Sequence, residues 1–365
     1  MVRIRLPWLR DKAREAVADA VDAVEEVVGT VVDAASPASA MSPLRTGALV
    51  AITVLVLWLL VRLLRRPAKV DPTSRWVLVT GADSGLGREL VVRARAAGFE
   101  VLAATLTLDG AKSLKDVASS TVVADLTTSN GISAVLVAVQ RALAKQGSKG
   151  LWALVNNAGC CLPGNIEWLH PSSYDKTIEL NFLAPVRLVY SLLPLLKSAK
   201  GRVVNITSVD GFIALPTNAA YNASKHALEA YSDTLRCEML PWGVKVVVIE
   251  PATMRTPLAL SFADGWLSSY LGAPLDRRTP YGDEWANRIA KGTKEGIEGI
   301  AADPVVTVDA MLSALVEADP PSRMATGKAA NLLFKPLSML PDKTRDALLY
   351  QMSFPGAPPG SLAKS

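Results

Sequence analysis

The chain has 365 residues, a net charge of +5 and 20% charged residues. One domain of roughly 250 to 290 residues plus an N-terminal segment accounts for that length, so no second enzymatic domain is expected. The basic excess is small and much of it flanks an apolar run, which argues against nucleic acid as a partner. Cys160, Cys161 and Cys237 show no metal-ligand spacing, and adjacent Cys160 and Cys161 suit small apolar packing in a reducing compartment better than a disulfide.

In residues 1–45, Val17, Val21, Val24, Val28 and Val31 recur at alternating steps of four and three, with Asp19, Asp22, Glu25 and Glu26 on other faces. A membrane-surface or self-associating amphipathic helix fits that stripe. Arg3, Arg5, Arg10, Lys12 and Arg14 imitate a mitochondrial transit peptide, but acids from Asp11 onward oppose it, and the apolar run begins too late for a secretory signal. Thr46 to Val61 contains no charge. With Arg62 snorkelling, Leu63 and Leu64 bring the run close to the ~20 residues that cross a bilayer. Residues 46–66 are therefore expected to anchor the protein in a membrane, as a span or as a helix or hairpin within one leaflet. Arg62, Arg65, Arg66 and Lys69 place the following chain in the cytosol. The expected site is the endoplasmic reticulum or another endomembrane, rather than the mitochondrion.

From Arg75 onward, short apolar runs alternate with helical ones. Arg75 to Thr80 reads as a buried strand entering the turn Gly81-Ala-Asp-Ser-Gly85-Leu-Gly87, then a helix from Arg88 to Ala97. That order makes a phosphate cradle: glycine lets the backbone turn tightly against a pyrophosphate, and a helix N-terminus favours its charge. Glu100 to Thr105, Thr121 to Ala124, Leu151 to Val155, Gly201 to Thr207 and Val244 to Glu250 follow as strands, with a helix from Gly131 to Lys145. The alternation predicts an α/β fold with a doubly wound parallel sheet of Rossmann type, preceded by N-terminal helices. Ligands bind beyond the carboxyl ends of such strands. The glycine turn, Asp125, Asn156 to Gly159, Ser208 and Pro251 to Thr256 all fall there.

Tyr221-Asn-Ala-Ser-Lys225 sets a phenol and an ammonium one helical turn apart. A cation within about 4 to 6 Å lowers a tyrosine pKa from ~10, so the pair is a candidate proton-transfer centre. His226 points about a third of a turn from Lys225, and it and His170 are read as structural or surface residues.

Taken in order, Thr80 to Gly87, Asp125, Asn156-Asn157-Ala158-Gly159, Asn181, Ser208, Tyr221 with Lys225, and Pro251 to Thr256 resemble the short-chain dehydrogenase/reductase family from Ser74 to at least Thr256. Leu102 to Thr107, Gly150 to Gly159 and Gly201 to Ser208 look most like its retinol, hydroxysteroid and 3-hydroxybutyrate dehydrogenase branch. The resemblance implies Tyr221 as general acid/base and Ser208 as the group that orients the substrate oxygen. It implies that Lys225 depresses the Tyr221 pKa and binds the nicotinamide ribose, and that Asn181 holds a proton-relaying water. A dinucleotide would be held by Gly81, Ser84, Gly85, Leu86, Gly87, Asp125, Asn157, Ala158, Gly159, Tyr221, Lys225, Pro251 and Thr256. Pro251-Ala252 departs from the family's usual Pro-Gly, which bears on loop geometry.

NAD is expected over NADP. Ala104-Thr105-Leu106-Thr107 ends the second strand with neither acid nor base, Ser84 stands where NADP-dependent relatives often carry a basic residue, and Arg88 reads as an exposed helix arginine. The catalytic domain is expected over 74–330, with a lid from about 253 to 330 bearing Leu258, Leu260, Phe262, Trp266, Tyr270 and Leu271. Residues 331–365 would form a helical extension that closes the pocket or meets a second subunit in a homodimer. The expected activity is hydride transfer between a nicotinamide dinucleotide and a lipophilic alcohol or carbonyl, such as a retinoid, a steroid or a lipid-derived hydroxy compound. A soluble 3-hydroxybutyrate-type dehydrogenase and a noncatalytic NAD(H)-binding membrane scaffold are the alternatives.

Overall fold

The computed structural model describes residues 52, 53, 56, 68–148, 150–356 and 359. Ile52, Thr53 and Val56 are helical; the rest of 46–66, the valine stripe of 1–45 and the last residues of the tail lie outside the described residues. Met1–Ala68 and Lys69–Ser365 are separate compact units.

In the second unit the strands β1 (Trp76–Thr80), β2 (Glu100–Thr105), β3 (Ser120–Val123), β4 (Ala153–Asn156), β5 (Arg202–Ile206), β6 (Lys245–Pro251) and β7 (Arg323–Thr326) form one sheet. Their order is β3-β2-β1-β4-β5-β6-β7, and all neighbours are parallel. Leu78 pairs with Leu102 on one side and Leu154 on the other. Trp76 and Leu78 pack into one layer and Val77 and Val79 into the opposite one. A strand covered on both faces needs apolar residues at successive positions, which is why these runs show no alternation.

The helices are α1 (Gly85–Ala96), α2 (Leu108–Ser113), α3 (Ser129–Lys145), α4 (Pro171–Ile178), α5 (Ala184–Ala199), α6 (Ala219–Met239), α7 (Pro257–Leu260), α8 (Phe262–Gly272), α9 (Leu275–Arg278), α10 (Asp283–Ile300), α11 (Val305–Val316), α12 (Lys335–Ser338) and α13 (Asp342–Ser353). Faces of α3, α5 and α6 fill one layer, with Val135, Leu188 and Leu235 among the buried residues. Leu90 of α1 and Met311 of α11 belong to the other. A π turn, Glu179–Leu183, joins α4 to α5. The combined helix Pro171–Ala199 has the length and apolarity to cross a membrane, but Ala184, Leu188, Leu192 and Leu196 bury against the sheet, so it is a core helix.

The stretch 253–330, expected as one lid, divides. Helices α7, α8 and α10 pack on one another, around Trp266, Tyr270 and Trp285. By contrast α11 returns to pack on α1, and β7 extends the sheet beside β6. The strand β7 escapes a hydropathy reading because Arg323 and Thr326 bound it and it contains four residues.

Candidate active site

At the end of β1, Thr80 Oγ1 donates to Val155 O at 3.1 Å and accepts from the N–H groups of Asn157 at 3.0 Å and Ala158 at 3.1 Å. The Asn157 amide donates back to Thr80 O at 2.9 Å and Gly81 O at 3.2 Å. These bonds tie the β4 exit to the glycine turn, so the Asn157 side chain holds the turn in shape. Space there is tight. A Cβ on Gly81 would lie 2.7 Å from Ala158 Cα, and one on Gly87 would lie 2.4 Å from both Asn157 Nδ2 and Gly81 O. Gly81 and Gly85 also have left-handed backbones, with φ of 63° and 55°, which side chains disfavour.

Ser84 precedes α1 in extended conformation without a side-chain cap, and the first turn of α1 has no acid. Its first amides are thus left for an anion. The same cavity is lined by Leu86, Asp125, Gly159, Pro251 and Thr256. Asp125 Oδ1 accepts from Thr127 N at 3.0 Å and Thr127 Oγ1 at 2.7 Å, shaping the turn into α3. A glycine cradle, a bare helix N-terminus and a pocket across the carboxyl ends of the strands fit a dinucleotide.

An acid does reach the end of β2, contrary to the sequence expectation. Asp83, in the glycine turn, accepts from Leu106 N at 2.8 Å, Thr107 N at 3.0 Å and Thr107 Oγ1 at 2.8 Å, and it lines the cavity. The strand itself lacks the carboxylate, but the neighbouring turn delivers one. Arg88 is engaged elsewhere, donating to Ser113 Oγ at 2.5 Å.

Helix α6 and the end of β5 bring Ser208, Tyr221 and Lys225 to one cavity. Lys225 is 4% exposed and donates to Ile206 O at 2.8 Å. Its Nζ lies 5.3 Å from the Tyr221 ring centroid. Burial pushes Lys225 down to about 8. Burial, and then an ionised Asp210, would hold the Tyr221 phenol well above its ordinary value, with the Ser208 hydrogen bond acting against them. Asn181, on the π turn, accepts from Cys160 N at 2.9 Å and donates to Cys160 O at 2.9 Å and Ser224 Oγ at 3.0 Å. Both of its amide protons are thereby used, while Oδ1 accepts one bond.

Asp210 and Asn218 escaped the sequence reading. Asp210 follows Ser208 in the short turn Val209–Gly211 and is 7% exposed. Ser208 Oγ lies 3.0 Å from Asp210 Oδ2, while Asp210 Oδ1 accepts from Asn218 Nδ2 at 3.0 Å. Cys161, a free thiol, contacts Asn218 Oδ1 at 3.1 Å. The only textual signal was a carboxylate between Val209 and Gly211. His170 caps α4, and His226 bonds Asn222 O within α6.

Over residues 75–265 the chain matches the family model "short chain dehydrogenase". It is 36% identical to mouse retinol dehydrogenase 5 over 315 residues, covering 84% of this chain and 95% of that protein. It is 34% identical to the bovine 17-beta-hydroxysteroid dehydrogenase type 6 over 282 residues, covering 76% and 88%. A short-chain dehydrogenase from Streptomyces avermitilis superposes with a TM-score of 0.60 at 29% identity, covering 77% of this chain and 97% of that one. The matched span contains the glycine turn and the Tyr221–Lys225 pair, and the chain belongs to the short-chain dehydrogenases, NAD(P)-dependent oxidoreductases that act on CH–OH groups.

Proposed function

We propose that the protein interconverts an alcohol and a carbonyl on a bulky, lipophilic substrate of the retinoid or steroid class, with NAD(H), at a membrane surface. The carrying observation is the apolar wall of the cavity that Tyr221 also lines. Met254, Phe262, Trp266, Ile297, Phe334 and Met352 bring apolar side chains to a cavity of ≈ 850 Å³ that also takes in the nucleotide end. Such a wall favours apolar substrate by roughly 25 cal/mol per Å² buried. Among the described residues Lys225 is the one cation lining it, so a hydroxy acid's carboxylate would lack a partner, which weighs against the 3-hydroxybutyrate reading. The retinol and 17-beta-hydroxysteroid names of the relatives agree with the lipophilic class. The uncharged run of Thr46 to Val61 supports the membrane surface.

When bound, the dinucleotide would supply or accept the hydride. Tyr221 moves the proton at the substrate oxygen, and Ser208 donates to that oxygen as charge develops on it. Lys225 holds the cofactor's ribose end in place. Asn181 fixes the Cys160 loop and is assigned the proton-relaying water. Asp83 favours NAD, because a carboxylate at the end of β2 accepts from a ribose hydroxyl and repels a 2′-phosphate. Ser84, Gly85, Gly87, Gly159 and Thr256 complete the cofactor site. A scaffold role has no need of Ser208, Tyr221 and Lys225 together.

The test is turnover of all-trans-retinol, 17β-estradiol and 3-hydroxybutyrate with NAD and NADP in liposomes. Retinol or steroid oxidation with NAD is expected. Activity confined to 3-hydroxybutyrate, or NADH binding without turnover of any alcohol or carbonyl tried, would overturn the proposal.

A further inference from the structure

The hydrogen bonds around Ser208 pose a proton-counting problem. Ser208 Oγ accepts from Asp210 N at 3.2 Å and has two acceptors within reach of its proton, Asp210 Oδ2 at 3.0 Å and, at the longer 3.5 Å, Pro251 O. A hydroxyl has one proton to give. If Asp210 is ionised, Oδ2 can only accept, so the Ser208 proton is committed to it and cannot reach a substrate oxygen. If Asp210 carries a proton on Oδ2, that proton goes to Ser208 Oγ and the serine hydroxyl is released.

The surroundings fix which oxygen would carry it. The Cys161 thiol is a donor, since burial raises its pKa, and it faces Asn218 Oδ1. The Asn218 amide nitrogen therefore faces Asp210 Oδ1 and donates to it. Asn218 is itself held in place: Gly164 N–H donates to Thr217 O at 2.8 Å, and Thr217 sits in the left-handed region with φ of 68°, which a non-glycine residue keeps only where its surroundings hold it. With Oδ1 accepting from Asn218 and Oδ2 facing Ser208 Oγ, a proton on Oδ2 is the one that finds an acceptor.

We infer that Asp210 is a positioning residue that works as a neutral carboxylic acid, donating from Oδ2 to Ser208 so that the Ser208 hydroxyl is turned toward the substrate oxygen. This rests on the role assigned to Ser208 above. Several groups bear on its proton. Tyr221 and Lys225 approach from α6. Cys160 and Cys161 approach from the loop after β4. Beyond Gly211 stand Glu229 and then Glu250, paired with Arg323 and Lys335. Burial raises the Asp210 pKa, and it prevails over the opposing hydrogen bonds from Asn218 and Ser208 and the charge of Lys225. Neutral Asp210 also spares Tyr221 a charge that resists phenolate formation. As pH rises and Asp210 ionises, the Ser208 proton is captured and oxidation should decline.

Asp210→Asn reproduces the hydrogen-bond polarity of the protonated acid, with Nδ2 toward Ser208 and Oδ1 toward Asn218, and it cannot titrate. Asp210→Leu has neither donor nor acceptor. The first readout needs no turnover: infrared difference spectra of the NADH complex at neutral pH, wild type minus Asp210→Asn. A protonated-carboxyl C=O band in that difference is expected; its absence overturns the proposal. The second is the pH profile of kcat/KM for all-trans-retinol oxidation with NAD. The alkaline decline should be lost in Asp210→Asn, which should exceed Asp210→Leu about tenfold, the worth of one good hydrogen bond. In a Ser208→Ala background the Asn and Leu variants should become equal; a tenfold gap surviving there would mean that Asp210 does not act through Ser208. If wild type oxidises neither retinol nor 17β-estradiol, the substrate proposal fails, and the infrared band still decides this one.

Discussion

The Asp83 carboxylate lies 2.8 Å from the Leu106 amide nitrogen and 2.8 Å from the Thr107 hydroxyl, joining the glycine turn to the end of β2. In the proposed dinucleotide site this carboxylate faces the adenosine ribose. Asp83→Asn keeps the size and removes the charge. The ratio of kcat/KM for NADP to that for NAD should rise about tenfold, since charges about 4 Å apart in a water-exposed site interact by roughly 1 kcal/mol per pair of unit charges. An unchanged ratio would leave the preference to other residues.

Tyr221→Phe should lower turnover by about 10²- to 10⁴-fold, the usual contribution of a positioned acid or base. NADH affinity, followed by fluorescence, should stay within a few-fold, because the ring still fills its place. Retained turnover would remove Tyr221 from the chemistry.

Lys225 gives a pH signature in stability. Its folded value is about 8 against an ordinary 10.5. Between those values the unfolded chain holds the proton that the folded chain has lost, so stability rises with pH across that window. Urea midpoints of wild type relative to Lys225→Met should therefore increase from about pH 8 to 10.5. A flat difference would show that the ammonium is better solvated than its burial indicates.

The glycine turn was legible because each glycine answers a local need that no other residue meets. Gly87→Ala drives a Cβ to 2.4 Å from a backbone oxygen and the Asn157 amide. Overpacking of that kind costs about 1–3 kcal/mol, to be read from urea denaturation, and NADH binding should weaken with it. The Tyr221–Lys225 spacing was legible for the same reason, since helix geometry turns sequence distance into spatial distance. Less was written in the pattern elsewhere. The acid for β2 arrives from 23 residues upstream, and Asp210 gains its place from Asn218 and the Gly164 loop, contacts that no periodicity encodes. Hydropathy marked an apolar stretch after Thr253 but not its division, because α11 is apolar whether it covers a sheet or a ligand.

On α10, Gly292 and Gly296 line the cavity, and a Cβ at either would meet nothing within 4 Å. Gly296→Leu should hold or raise the thermal midpoint, since leucine is the better helix former by roughly 0.5–1 kcal/mol. The added side chain enters substrate space, so KM for retinol should rise while a short alcohol, if turned over, is unaffected. Equal effects on both would mean that α10 does not bound the substrate.

The division of the cavity between its two stretches has a historical consequence. The residues proposed for proton and cofactor handling lie at or before residue 256, and the apolar wall draws heavily on α10 and α13 after it. A lineage could therefore change what it tastes without relearning how it reacts. Recombination near Thr256 would pass on a working reaction centre with a different palate.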